Sequence, residues 1–474
     1  MTSSRLRRRL QPSLSSATSI GSQGERRMLS KENNELICRV GPGTPMGNLM
    51  RQYWVPALPS NEFSGPDRLP KRMRLLGENL VMFRDSKGRM GALEEYCPHR
   101  GASLYFGRNE DGGLRCSYHG WKFDITGACL DAPSEQPERR ERFCANIKAR
   151  AYPCHEVNHM VWVYMGPRKE PPPFPAFEIN TLPADHVGHP RIMMEEANWL
   201  QNMEGDLDSA HLDWVHRRLT EESPKPEKGI RGFWNPTGRP PVLDVAPTDY
   251  GVFYSARRVL KDGDEWHRIN QYIFPFHTMI TVGDGTVNLR SFVPVDDEHA
   301  MLISQTGHPT QRLSNEAMNA HGTMFDEVGG FVERTNDPRT YFLTKANKRN
   351  DYGRDLKAQA ETMFCGIPFV GNLQDRAMTE LMTNERGEAI YDRTKEHLGS
   401  SDAMIVAVRR QLINAATRLR DEGKVPANVD NVELDRVRSA SLRYPAGADW
   451  KALSAPARRV NPDQPSAADV PLIL

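Results

Sequence analysis

Short apolar runs punctuated by Gly, Asp and Pro dominate the first third of the chain: NLVMFRD, ALEEYC, LRCSYHGWKFD and MVWVYMG. Runs of this length bounded by turn residues predict strands, so residues 56–167 read as a small all-β domain. Ahead of it, NNELICRVGPGTPMGNLMRQYW mixes helical spacing with Gly and Pro breaks and reads as a short N-terminal arm, residues 28–55. KEPPPFPAF then reads as a stiff polyproline linker. The next region, residues 174–440, opens with a helix over NWLQNMEGDLDSAHLDWVH. It continues with GVFYSARRVL, HRINQYIFPF, TVNLRSFVPV and AMLISQTGH, in which bulky apolar and polar residues tend to alternate. Alternation with period two predicts an antiparallel sheet. AMIVAVRRQLINAATRLRDEG is the cleanest helical pattern in the chain, with Ser401-Asp402 as an N-cap and Gly423 as the stop. Residues 441–474, rich in Pro, Ala and charge, read as a wrapping arm or a disordered tail. The fold class is therefore α+β, an N-terminal all-β domain followed by a larger antiparallel-sheet domain, and no internal repeat is visible.

Composition narrows the function classes only by exclusion. The 474 residues are 38% hydrophobic and 26% charged, ordinary for a globular chain of two or three domains. A formal net charge of +1, with no Lys/Arg stripe interleaved with aromatics, gives no footprint for nucleic acid. No apolar run approaches the roughly eighteen residues of a membrane span. Seven cysteines (Cys38, Cys97, Cys116, Cys129, Cys144, Cys154, Cys365) are an odd number and argue against a disulfide framework, which points to a reducing, cytoplasmic setting. The first residues, MTSSRLRRRLQPSLSSATSIGSQG, are basic, Ser-rich and free of acids, as transit peptides are. Residues 1–27 are nonetheless expected to be a disordered extension or the product of an upstream start codon.

The chemistry lies in CPHRGASLYFGRNEDGGLRCSYHGW. Two ligand pairs, Cys97-x-His99 and Cys116-x-x-His119, are separated by sixteen residues. Two thiolates and two imidazoles can hold one zinc, or a [2Fe–2S] pair in which Cys binds one iron and His the other. Zinc sites of this composition usually repeat one ligand type within each pair, whereas each pair here mixes them. Gly101, Gly112, Gly113 and Gly120 suit two tight loops whose backbone comes close to sulfur. The cluster is the favoured reading.

About ninety residues later, Asp208, His211 and His216 form D-x₂-H-x₄-H. Two neutral imidazoles and one carboxylate are the ligand set of mononuclear non-haem iron, with positions left open for dioxygen. On a regular α-helix residues five apart point about 140° from each other, so His211 and His216 require a helix end, kink or π-bulge between them. Asp208, three residues before His211, would share its helical face, as a ligand or as a carboxylate orienting that imidazole.

These motifs in this order resemble the Rieske non-haem iron aromatic ring-hydroxylating oxygenases. NWLQNMEGDLDSAH with the downstream DRTKEHLGSSD most resembles the oxygenase component of the phthalate 4,5-dioxygenase group, over roughly residues 28–420. The resemblance implies a Rieske [2Fe–2S] cluster, with Cys97 and Cys116 on one iron and His99 and His119 on the other. It implies a mononuclear Fe(II) on His211 and His216 in a helix-grip domain. The third iron ligand would be a distant carboxylate, Asp375 in FVGNLQDRAMTE, with Asp392 as runner-up. Asp208 would bridge His211 to a Rieske His of a neighbouring subunit, in a homotrimer or stacked trimers. A separate NAD(P)H-dependent reductase carrying flavin and iron–sulfur would supply electrons, since the chain has no GxGxxG fingerprint opening a βαβ unit. The implied reaction is cis-dihydroxylation of an aromatic carboxylate with O₂. Related sequences instead remove O-methyl groups or cleave diaryl ethers. Arg231 and Arg268 match the family's substrate-binding arginines approximately, and Arg257 and Arg258 compete with them. Two readings from other classes are an electron carrier without chemistry of its own and a zinc-stapled interaction protein. The three hundred residues beyond the β domain argue against the first, and colour decides the second.

Overall fold

The computed structural model describes residues 29–220, 240–281, 285–319, 326–430 and 433–458. The extension over residues 1–27 and the end of the tail, 459–474, lie outside them. Two short helices, α1 (Lys31–Cys38) and α2 (Pro45–Met50), open the arm. The Ser30 and Thr44 side chains cap them by accepting from the N–H groups of Asn33 and Gly47.

The β domain follows as β1 (Trp54–Pro59), β2 (Lys71–Leu75), β3 (Glu78–Arg84), β4 (Met90–Glu94), β5 (Arg108–Glu110), β6 (Gly113–Arg115), β7 (Lys122–Phe123) and β8 (Cys129–Asp131). After α3 (Pro137–Cys144) come β9 (Ala151–Tyr152), β10 (Cys154–Val157) and β11 (Met160–Tyr164). They form three antiparallel sheets of order β1-β11-β10, β2-β3-β4-β9 and β5-β6-β7-β8. LRCSYHGWKFD, read as one strand, is two short ones: the chain leaves β6 after Arg115 and re-enters at Lys122, so Cys116–Trp121 loops out. Val81, Phe83, Leu93, Leu104, Leu114 and Phe123 form a core that also holds Cys97 and Cys116. KEPPPFPAF has no regular secondary structure but is not a free spacer. The Trp54 indole N–H donates to the Pro172 carbonyl at 3.0 Å, and Phe174 packs edge-on to Trp54 and Trp162, which fixes the junction.

The second region opens on α4 (Glu178–Thr181) and a strand, β12 (Arg191–Glu195), before the expected helix, α5 (Trp199–Leu207). Then come β13 (Val242–Pro247), β14 (Gly251–Val259), β15 (Glu265–Ile273), β16 (His277–Met279), β17 (Val287–Pro294) and β18 (Ala300–Gly307). Helices α6 (Asn315–Asn319), α7 (Leu356–Glu361), α8 (Leu373–Thr379) and α9 (Ala403–Glu422) precede β19 (Ala440–Tyr444), α10 (Trp450–Leu453) and α11 (Ala455–Arg458). The sheet is antiparallel, ordered β12-β18-β17-β16-β15-β14-β13, with β19 paired to β15. The expected tail beginning at 441 is corrected here: residues 440–444 complete the sheet, and Trp450 is buried against Phe253.

α9 lays Met404, Val408, Leu412 and Ala416, at spacing four, against the core and stops at Gly423, whose φ of +66° suits Gly. Asp402 stands at its N-cap position but makes no side-chain cap; its carboxylate accepts from Gly399 N–H instead. The alternation along β14, β15 and β17 does not separate core from solvent. Tyr254, Arg258, Arg268 and Asn270, on one face of the β14–β15 pair, are all buried, as are Asn288 and Arg290 on β17, so the polar face of the sheet is an interior surface.

One buried ion cluster locks α5 to the long helix. Glu204 accepts from Arg409 Nε at 2.5 Å and Nη2 at 2.9 Å, and from Arg393 Nη2 at 3.0 Å. Burial pushes the Glu204 carboxyl up, but the two guanidiniums outweigh it and hold it below its usual range. Arg393 belongs to DRTKEH, and this anchoring is that segment's structural role. Glu204→Ala leaves the buried Arg393 without its carboxylate, while Arg409 keeps Glu396, and is expected to cost about 3–5 kcal/mol, read as a lower denaturant midpoint. A loss below about 1 kcal/mol would show that the cluster does not hold α5.

Candidate functional site

The two Cys/His loops are near copies. In each, the cysteine N–H donates to the carbonyl five residues on: Cys97 to Ala102 and Cys116 to Trp121, both at 2.8 Å. The glycine four residues on donates back to the cysteine carbonyl, Gly101 at 2.9 Å and Gly120 at 3.0 Å. Both glycines have positive φ, 72° and 77°, and a Cβ on Gly120 would lie 2.6 Å from Pro133. The tips meet. Burial and the adjoining Cys116 thiol push the Cys97 thiol up to about 11, although the N–H groups of His99 and Arg100 face its sulfur. The His99 and His119 rings are 4.5 Å apart, and His99 stacks on Trp121 at 4.2 Å. His99 Nδ1 is buried with no hydrogen-bond partner. Thiol against thiol, imidazole against imidazole and an unmet buried ring nitrogen fit a cluster that takes Cys on one iron and His on the other.

The second site forms where α5 ends. Asp208 leaves helical geometry at ψ 123°, and its Oδ1 accepts from Ala210 N–H at 2.6 Å, a local turn that competes with the next helical bond. The Tyr254 hydroxyl donates to the freed Leu207 carbonyl at 2.5 Å. A 3₁₀ turn over His211–Asp213 and the non-helical Trp214 then separate the two histidines, which supplies the required irregularity. Asp208 reaches His211 across this turn, with Oδ2 3.7 Å from Nδ1, so the expected shared helical face is replaced by a turn contact.

From the opposite side α8 brings Asp375. Its Oδ1 lies 3.3 Å from His211 Nε2 and 3.1 Å from His216 Nε2, and these donors fall within 4.8 Å of one another. Asp392 is elsewhere, capping a turn by accepting from Thr394 N–H and Oγ1. Asp375 Oδ1 is buried without a hydrogen bond of good geometry. Burial pushes the Asp375 carboxyl up, but the two imidazoles hold it well below the carboxylate range. Burial lowers His211, yet Asp208 and Asp375 raise it to about 9. Such a site draws a positive charge into its centre, and its donor set fits a divalent metal.

Residues 53–153 match the Rieske [2Fe-2S] domain, and residues 163–469 match the LigXa C-terminal domain like family. The chain is 36% identical to the 3-chlorobenzoate-3,4-dioxygenase oxygenase subunit of Comamonas testosteroni, over 89% of this chain and 97% of that one. The chain belongs to the Rieske oxygenases. This oxygenase subunit is also 33% identical to the phthalate 4,5-dioxygenase oxygenase subunit of Pseudomonas putida, over 90% of this chain and 94% of that one. It is 36% identical to the 5,5'-dehydrodivanillate O-demethylase oxygenase subunit of a Sphingobium species, over 85% and 82%. The oxygenase in a ferredoxin complex of carbazole 1,9a-dioxygenase has the same fold, with TM-score 0.51 at 18% identity over 85% of this chain and 96% of that one. The protein is therefore the oxygenase subunit of a multi-component Rieske system, with a [2Fe–2S] cluster and a mononuclear iron as cofactors. Among the described residues no helix is long and apolar enough to cross a membrane.

Against the Asp208 turn, the sheet carries three buried arginines that periodicity alone did not delimit. Arg258 on β14, Arg268 on β15 and Arg290 on β17 are all buried. Arg290 pairs with Asp206 at 3.0 Å and Arg258 with Asp213 at 3.2 Å. Arg268 has no carboxylate partner among the described residues, and its Nη1 donates to Ser209 Oγ at 3.1 Å. Burial lowers its guanidinium, with Arg258 adding to the effect, yet it stays a cation, because arginine is not deprotonated in proteins. Arg268 Nε and Arg258 Nε and Nη1 lack hydrogen-bond partners. Arg257 turns away to Glu265. Arg231 lies outside the described residues. Tyr254 and Gln374, which touch the Asp208 turn and His216, were missed because a lone Tyr or Gln carries no metal-site signature. Asp375→Ala is expected to empty the mononuclear site while leaving the cluster absorbance intact, measured as iron per chain beside the visible spectrum. Full iron retention would transfer the role to another carboxylate.

Proposed function

We propose that this subunit cis-dihydroxylates an aromatic carboxylate. The overall reaction takes the arene, O₂, two electrons and two protons to a cis-dihydrodiol, with the electrons drawn from NAD(P)H through a separate reductase. Cys97, His99, Cys116 and His119 would hold the cluster, and His211, His216 and Asp375 the iron. The cluster supplies single electrons and the iron activates dioxygen. The protein's part is to place the ring and admit electrons.

The observation that carries the reading is Arg268, a buried guanidinium with no carboxylate partner among the described residues, bonded to Ser209 two residues before His211. Buried charges need partners, and a carboxylate on the substrate would complete this one while its ring lies toward the iron. Chlorobenzoate and phthalate, in the names of two relatives, are aromatic carboxylates. The O-demethylase relative supports a second reading with the same carboxylate anchor, in which one oxygen atom enters a methoxy carbon and formaldehyde leaves. Turnover of benzoate, phthalate and methoxybenzoate panels with a Rieske reductase, scored for cis-dihydrodiol against formaldehyde, separates the two.

A homotrimer, single or stacked, is the assembly this reading favours. The Asp208 side chain is a quarter exposed, and Tyr118 stands 57% exposed beside His119. Head-to-tail packing would bring a cluster histidine of one copy to Asp208 of the next and close a ring. The carbazole oxygenase, crystallised with its ferredoxin, is precedent for a separate electron donor.

Arg268→Met is expected to raise KM for the carboxylate about 30-fold, the equivalent of about 2 kcal/mol for a charge-assisted hydrogen bond, with a smaller effect on kcat. An unchanged KM removes Arg268 from the pocket. Asp208→Asn is expected to keep both metals but slow oxidation of the reduced cluster in a single turnover. Wild-type cluster oxidation in that variant contradicts the cross-subunit route.

A further inference from the structure

Gln374 immediately precedes Asp375 on α8 and is 3% exposed. Both ends of its amide are committed. Nε2 donates to the Ile367 carbonyl at 2.7 Å, and Oε1 lies 2.6 Å from His216 Nδ1. A carbonyl only accepts, so the Ile367 contact forbids flipping the amide, and the oxygen must face the ring. An amide oxygen only accepts as well, so His216 Nδ1 carries the proton. An imidazole that ligates a metal is neutral and has one N–H, which leaves the lone pair on Nε2, 3.1 Å from Asp375 Oδ1. Lone pair facing carboxylate oxygen is repulsive until a cation sits between them.

The two histidines differ in this respect. His211 Nδ1 faces a carboxylate, Asp208, at 3.7 Å, beyond hydrogen-bond reach, and its ring is 22% exposed. The His216 ring is 5% exposed, clamped at 2.6 Å by a neutral amide. Gln374 and Asp375 leave α8 about 100° apart, so one rigid turn addresses His216 on both edges, orienting the ring with one residue and facing its Nε2 with the next.

We propose that Gln374 is a positioning residue for the mononuclear iron: it fixes His216 in the Nδ1–H tautomer and aims Nε2 at the point shared with Asp375. This rests on reading His211, His216 and Asp375 as the iron site. Outer hydrogen bonds of this kind typically contribute about 10–100-fold to metal affinity.

The test uses the full chain with its cluster loaded and the mononuclear site stripped, then titrated with Fe(II) and, separately, Co(II). Gln374→Leu removes both amide contacts. Gln374→Glu also loses the donor to Ile367 but keeps an acceptor for Nδ1–H, so comparing the two isolates the contact with His216. Gln374→Leu should weaken Fe(II) binding about 10–100-fold and alter the Co(II) ligand-field spectrum. Gln374→Glu should restore affinity to within a few-fold of the parent, with unchanged cluster absorbance in both. Parent-like affinity in Gln374→Leu, or a Gln374→Glu variant as weak as Gln374→Leu, overturns the proposal. Asp375→Ala runs alongside: if it binds Fe(II) like the parent, the site reading itself fails, whereas loss there with parent-like Gln374→Leu rejects only the role of Gln374.

Discussion

Two histidines five residues apart cannot face one point from a regular helix, and much of the catalytic region is arranged around breaking α5 at the right place. The Asp208 side chain closes a turn on Ala210, and Tyr254 takes up the Leu207 carbonyl that the break exposes. A broken helix end is loose unless its body is held. Glu204, one turn back, supplies that hold through Arg393 and Arg409, and Asn198 fixes the other end by donating to the Cys38 and Asp297 carbonyls. Helix α8 then needs only to present Asp375, and it does so from a turn whose preceding residue also touches His216.

The same logic explains the polar interior of the large sheet. A strand buried on both faces normally reads as continuously apolar. Here β14, β15 and β17 alternate because the face turned to the broken end of α5 carries buried arginine, asparagine and tyrosine. Arg290 and Arg258 are paired with Asp206 and Asp213, so among the described residues Arg268 is left without a carboxylate. An unpaired buried charge is costly, and the proposed carboxylate substrate would offset it. The anchor of α5, by contrast, is balanced, with Arg393 and Arg409 against Glu204 and Glu396.

Legibility in the sequence followed the range over which each constraint acts. The Cys/His loops were readable because ligand spacing, Gly101 and Gly120 are local properties of fewer than thirty residues. The break between His211 and His216 was readable from helical geometry alone, though not where the helix would end, since that depends on Asp208 choosing its own turn. Asp375 was found through resemblance, because a carboxylate some 160 residues away carries no local mark. β12 and β19 are not legible: RIMME and ASLRY are only five residues each and do not alternate cleanly, and their strand character comes from pairing with β18 and β15. The proline segment reads as a spacer, since its composition does not reveal the packing of Phe174 against Trp54 and Trp162.

On the proposed reading one chain carries two different metal centres, held by Cys97, His99, Cys116 and His119 and by His211, His216 and Asp375. The most direct measurement is iron, acid-labile sulfide and zinc per chain after anaerobic purification, with the EPR spectrum before and after dithionite. The account predicts a reddish-brown protein with about three irons and two sulfides per chain and a Rieske signal on reduction. A colourless protein holding zinc, with neither sulfide nor that signal, would contradict it.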